Sequence, residues 1–233
     1  MIVSINQPSY LPWLGYFQRI AASDVHVVLD HVQFEKNSFT NRNRIRTPQG
    51  WVWLSVPVLT SGRSAQKIQE VMIDNRVAWC RKHWRTMLQN YGKAPFFNEY
   101  GPFFEDMYAQ RWEQLVPLID RGTEFLLQQL YIETKIIRSS TLDVYGEKSD
   151  LVLQICQTLG ADTYLSGKLG RDYLDESSFR EAGIEIIYQD YKHPVYHQRY
   201  EPFESNMSTV DLLFNCGLRS SEIALSCQDP VSR

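Results

Sequence analysis

The stretch "MIVSINQPSYLPWLGYFQRIAASDVHVVLD", residues 1–30, decides the fold. Its opening "MIVSI" is a short apolar run suited to a buried strand. Pro8 and Pro12 then impose an extended loop, because the residue before each is biased away from the helical region. In "WLGYFQRIAAS" the residues Leu14, Phe17, Ile20 and Ala21 fall on one helical face. "DVHVVLD" follows, with Val25, Val27, Val28 and Leu29 forming a β-branched run that reads as a strand. Strand, loop, helix and strand in so short a span make a βαβ unit. Such a unit predicts a parallel sheet whose ligand crevice lies outside the carboxyl ends of its strands.

The C-terminal third returns to the same alternation. "TKIIRSS" predicts a strand, and "KSDLVLQICQTLG" predicts a helix with Ser149 as N-cap and Gly160 as its stop. "ADTYLSG" and "IEIIYQDY" predict two further strands, with "LDESSFREAG" a helix between them. "STVDLLFNCG" predicts a last helix, with Ser208 and Asp211 spaced as a capping box and Gly217 as terminator. Between the two α/β halves, residues 76–132 read as helical. One helix is expected over "RVAWCRKHWRTMLQNYG", with Val77, Cys80, Trp84 and Tyr91 recurring at helical spacing. Two more are expected over 103–116 and 123–131, with Pro117 interrupting them. "EKNSFTNRNRIRTPQG" reads as a polar basic loop, "WVWLSVPVL" as an alternating strand, and "SGRSAQKIQEVMID" as a mobile loop leading into a short strand. The expected architecture is α/β, with a Rossmann-like, mainly parallel sheet built from 1–75 and 133–225. A helical insert at 76–132 packs on it, and 226–233 forms a frayed tail.

Composition narrows the function classes. The chain has 233 residues, 43% hydrophobic and 22% charged, as expected of a globular protein. A net charge of −3 provides no global field toward nucleic acid or an anionic membrane. No apolar run is long enough to span a bilayer, and no signal-peptide pattern opens the chain, so a cytoplasmic location is expected. Cys80, Cys156, Cys216 and Cys227 are widely separated and form no CxxC pair, which argues against a zinc site or a disulfide framework. There is no HExxH, no GxGxxG and no nucleophile elbow.

Four segments carry the candidate chemistry. In the opening loop, Gln7, Tyr10, Trp13 and Tyr16 combine aromatic surface with polar tips and read as one wall of a pocket. Beyond a predicted strand end, "DHVQFEKNSFTNRNRIR" gathers Asp30, Gln33, Lys36, Asn41, Arg42, Asn43, Arg44 and Arg46, groups able to hold phosphate, carboxylate or sugar hydroxyls. "YLSGKLGRDYLD" places Ser166, Gly167, Lys168 and Tyr173 at another strand end, where a glycine turn can bring backbone N–H groups to an anion. In "DYKHPVYHQRYEPF", Pro194 between His193 and His197 argues against a two-histidine metal site. His193 is then a candidate general base, with Tyr196 and Gln198 beside it. The basic residues of the helix near 76–91 read as a solvated face.

These segments resemble the WbqC-like family of bacterial proteins. The resemblance runs through "QPSYLPWLGYF", "SDVHVVLDHVQFEKNSFTNRNRI", "WVWLSVPV", "KHW", "YGKAPFF", "TYLSG", "DYLD", "GIEIIYQDYKHPVY" and "STVDLLFNCG", in order along nearly the whole chain. It implies a place in O-antigen or other surface-polysaccharide biosynthesis, and attachment of a small group such as glycyl to a sugar. No catalytic assignment comes with it. A transferase of this class predicts His193 as base, Lys36, Arg42 and Arg44 on the donor's phosphate or carboxylate, and Asp30 orienting a cation or hydroxyl. Its cofactor would be a nucleotide or an activated acyl donor.

A second similarity is to nucleotidylyltransferases with an HxGH turn after the first strand. There Gly15 matches the glycine, Trp13 and Tyr16 stand for the histidines, and Mg²⁺ would be needed. A non-catalytic module for nucleotide-sugars or nucleic acid is the third expectation. The oligomeric state does not follow from the residues.

Overall fold

The computed structural model describes residues 1–63 and 65–226. The proposed frayed tail therefore lies, apart from Ser226, outside the described residues, as does Cys227. The βαβ unit is present: β1 (Ile2–Asn6), α1 (Leu14–Ala21) and β2 (Val25–Val28). With β5 (Lys135–Arg138), β6 (Thr163–Ser166) and β7 (Glu185–Tyr188) they form a five-stranded, all-parallel sheet in the order β5-β2-β1-β6-β7. β1 lies at its centre, with Val3 opposite both Val25 and Tyr164. A central parallel strand is covered on both faces, which is why its residues 3–5 are all buried. The fold is Rossmann-like α/β.

The helices divide between two hydrophobic cores. One core joins α1 to α2 (Trp79–Tyr91), α3 (Phe97–Ala109), α4 (Leu115–Gln129), α7 (Thr209–Cys216) and α8 (Arg219–Leu225). The opposite core is built from the sheet, α5 (Lys148–Leu159) and α6 (Glu176–Glu181). The chain changes direction between β1 and β6, where a doubly wound sheet opens a crevice.

Several local expectations are corrected. The supposed basic loop contains β3 (Arg42–Thr47), which pairs antiparallel with β4 (Gly50–Ser55) in a separate two-stranded sheet. Its alternation is real: Asn43 and Ile45 point inward, while the intervening Arg42 and Arg44 do not. Arg46 departs from a solvated role. It is buried, and its guanidinium donates to the carbonyls of Thr47, Gly50, Tyr200 and Pro202. Pro117 lies in the first turn of α4 rather than between helices, because first-turn N–H groups need no intrahelical acceptor. α3 correspondingly runs 97–109, with Pro102 inside it.

Glu147, not Ser149, flanks the start of α5; Ser149 Oγ instead accepts the Asp175 N–H at 2.9 Å. Ser208 does cap α7, accepting from the Val210 N–H. Asp211 does not close the capping box, because its carboxylate is turned into the core. The segment before Asp74 forms a 3-10 turn (Ile68–Glu70) followed by isolated bridges, not a strand.

Candidate active-site cleft at the strand ends

A cleft of about 960 Å³ opens over the carboxyl ends of β1, β2 and β5. Gln7 leaves β1 into it, Leu29 and His31 leave β2, and Ser139 and Ser140 leave β5. Lys67 and Gln33 form one side, paired through an isolated bridge. Lys148 and Tyr173 come from the side of α5 and the turn after β6.

At its centre is a short relay. His31 Nδ1 lies 2.6 Å from Ser139 Oγ. The Ser139 hydroxyl gives its one proton to Asp30 Oδ1 at 3.1 Å and accepts the Asp30 N–H at 3.1 Å. The tautomer protonated at Nδ1 satisfies both contacts of the Ser139 hydroxyl at once, with Nδ1 donating to Ser139. In that tautomer the neutral ring keeps an unprotonated Nε2 on a side chain that lines the cleft. Burial lowers the His31 pKa from its ordinary value, and Lys67 pushes the same way, against the opposing pull of Asp30. The imidazole is poised as a base at neutral pH.

Asp30 does not line the cleft. It is 1% exposed, and both oxygens are filled by Ser139 Oγ, the Ser140 N–H (3.0 Å), Ser140 Oγ (2.9 Å) and Arg138 (3.2 Å). Its role is to hold the β5 turn and, through Ser139, the ring of His31. Arg138 also pairs with Asp120, which anchors this network to α4.

The other sequence-derived candidates scatter. Gln7, Gln33 and Tyr173 line the cleft. Tyr10 is a correction: it is buried, its hydroxyl bonded to His83 Nδ1 (2.9 Å) and to Tyr108, so it forms no open wall. Tyr16 is buried edge-on against Phe17 and His26, which closes the HxGH-like turn to phosphate at that position. Trp13 packs against Tyr16 and Phe39. The amides of Asn41 and Asn43 are buried and donate to the Val56 and Leu11 carbonyls, tying the opening loop and β3 together. Arg42 and Arg44 stack over Trp53 and Trp51 on the outer face of the hairpin, 4.2 and 5.0 Å from the ring centroids. Lys36 is exposed on the turn before that hairpin.

Ser166 is buried at the end of β6, its hydroxyl donating to the Gly167 carbonyl, and Lys168 is exposed just beyond. His193 does not line the cleft. Its Nδ1 is bonded to the Pro194 carbonyl at 2.8 Å and its ring packs among Tyr191, Tyr196 and Phe203. Tyr196 and Gln198 bond Asp211 in the core, each at 2.8 Å.

Sequence reasoning passed over His31, Ser139, Ser140, Lys67 and Lys148. For His31 a signal existed, since it adjoins Asp30 at a predicted strand end. The serines sit over a hundred positions away, and nothing local marks them. A second depression of about 560 Å³ at the outer edge of β7 is lined by Arg171, Glu176 and Tyr188, among others. Its polar groups satisfy one another: Tyr188 donates to Glu176 at 2.8 Å, and Arg171 lies 4.0 Å over the Tyr188 ring.

No helix among the described residues is long and apolar enough to cross a membrane. A parallel, Rossmann-like sheet with a polar cleft at its carboxyl ends places the chain among α/β proteins that hold ligands at strand ends. Within that class it belongs to the WbqC-like protein family, whose model matches residues 7–223. It is similar to a protein of Mycobacterium tuberculosis named "Uncharacterized protein Rv1507c", at 35% identity over 228 residues, spanning 97% of this chain and 98% of that one. No solved structure matches significantly.

Proposed function

We propose that the protein is a transferase that moves a small acyl or aminoacyl group, such as glycyl, onto a hydroxyl or amine of a sugar-like acceptor, with His31 as the general base. The observation that carries this reading is the Asp30–Ser139–His31 relay, which ends on a free imidazole nitrogen in the largest cleft described here. The family resemblance supplies the acceptor class. Nε2 takes the proton of the attacking hydroxyl or amine as its lone pair bonds to the donor's carbonyl carbon. The resulting imidazolium returns that proton to the leaving group as the acyl bond to it breaks. Gln7, Gln33 and Ser140 offer neutral hydrogen-bonding groups suited to hydroxyls, and Lys67 offers positive charge for an anionic donor. Base catalysis moves from His193 to His31 because only His31 lines the cleft.

The test is product formation, followed by mass spectrometry, from acyl-CoA or aminoacyl donors with amino-sugar or nucleotide-sugar acceptors. His31→Asn keeps a donor toward Ser139 but has no base. It should fold and lose about 10²- to 10⁴-fold in turnover. Wild-type activity should rise with pH to a plateau, with its acid limb below the ordinary histidine value. Unchanged turnover in His31→Asn sinks the base assignment, and absence of product from every donor sinks the transfer reading.

A further inference from the structure

At the switch point, beside the cleft, stands a cation without an acid. Arg19 reaches from the last turn of α1 to the ends of three strands. It donates to Asn6 Oδ1 on β1 at 2.7 Å and to Gln189 Oε1 after β7 at 3.0 Å. Its guanidinium packs closely against Gly167 after β6: a Cβ there would fall 2.8 Å from both terminal nitrogens and 3.0 Å from Cζ. Among the described residues, no carboxylate forms an ion pair with it. Both bonds go to neutral amides, and burial lowers its pKa, so the cation has lost water without gaining a counter-charge. A second group nearby is equally uncompensated: Asn6 Nδ2 is buried and has no hydrogen-bond partner. The next residue, Gln7, lines the cleft, and so does Tyr173, which is close enough to Arg19 for the two to interact electrostatically.

We infer that Arg19 and Asn6 form an oxyanion subsite at the β1/β6 switch point, which binds the carboxylate or phosphoryl end of a ligand extending into the His31 cleft. A planar guanidinium carries a fork of N–H groups suited to two oxygens of one anion. An amide N–H beside it adds a directional third donor. The two sources of such an oxyanion, a carboxylate or a phosphate, share this chemistry and differ in size and charge. The inference rests on the cleft being a substrate site, but not on His31 acting as a base.

Inorganic pyrophosphate and acetate, titrated separately at constant ionic strength against thermal unfolding of the full chain, provide the test. A saturable rise in Tm with pyrophosphate identifies a phosphoryl end, and one with acetate alone identifies a carboxylate end. In either case Arg19→Lys, which keeps the charge and loses the fork, should raise Kd at least tenfold. Gly167→Ala should do the same by displacing the guanidinium, and Arg19→Met should abolish saturation. If Arg19→Met does not fold, the lysine and alanine variants carry the result. His31→Asn should bind the anion as the wild type does. Loss of transfer with anion binding intact would therefore overturn the catalytic reading alone. No saturable response to either anion in the wild type, or wild-type affinity in Arg19→Lys and Gly167→Ala, overturns the subsite.

Discussion

Two buried aspartates, Asp30 and Asp211, are 1% and 0% exposed, and each is surrounded by donors, yet they serve opposite ends. Asp211 accepts from Tyr91, Tyr196 and Gln198, all at 2.8 Å, and every one of those partners is itself buried. Burial raises its pKa, and the phenol and amide donors oppose that rise. The network is closed, and it joins α2, the 196–198 segment and α7 around one point. Asp30 is satisfied as fully, but one of its partners, Ser139, passes the constraint on to a histidine in the cleft. A buried carboxylate becomes useful for chemistry where its network ends on a titratable group with an open valence. A saturated hub without such an exit is architecture.

The largest effect expected from breaking this contrast is at Asp211. Asp211→Ala strands two phenol hydroxyls and an amide in the core, and should cost about 3–5 kcal/mol in urea unfolding. A loss below about 1 kcal/mol would mean that the hub is not structural.

The histidines extend the same contrast. His83 is closed in, with Nδ1 accepting from Tyr10 and Nε2 donating to the Ser55 carbonyl. Burial pulls its pKa from 6.5 to about 4. The folded value lies below the unfolded one, so the unfolded chain takes up the proton first. This contribution is complete above about pH 6.5 and is lost as pH falls toward 4, by about 3 kcal/mol. Urea midpoints between pH 7 and pH 4 should show that decline, and His83→Gln should be less steep. Equal slopes would remove His83 from the acid response.

The smallest change concerns the exit itself. Ser139→Ala leaves the Asp30 N–H and one carboxylate oxygen short of a partner, for about 1–2 kcal/mol of stability. It also frees the His31 ring, so turnover should fall and the acid limb of the pH profile should move while KM stays near its wild-type value. If both the pH profile and turnover are unchanged, Ser139 does not orient His31.

How far the site could be read from the chain follows from these particulars. The stretch from Met1 to Asp30 predicts β1, α1 and β2 because period and turn chemistry are local, and the parallel sheet follows from the crossover rule. Gln7, Gln33 and Tyr173 sit where their strand ends place them. The arginine-rich strand was hidden because its inward positions are an asparagine and an isoleucine between charges, which reads as polar. Tyr10, Asn41 and Asn43 have the polar tips of binding residues, but they spend them on buried partners. No pattern separates a hydroxyl that meets His83 from one that meets a ligand.

The sequence by itself determined the Rossmann-like order of strands and helices, the strand ends that border the cleft, and the family. These rest on hydrophobic period, proline and glycine placement, and motifs that keep their order along the chain. Only the tertiary structure decided which polar groups close on each other and which remain open. His31 meets Ser139, and Arg19 meets Asn6 and Gln189, through contacts between segments that become neighbours only when the parallel sheet assembles. A side chain's chemistry is set by its partners and its access to water, and both are properties of the packed molecule.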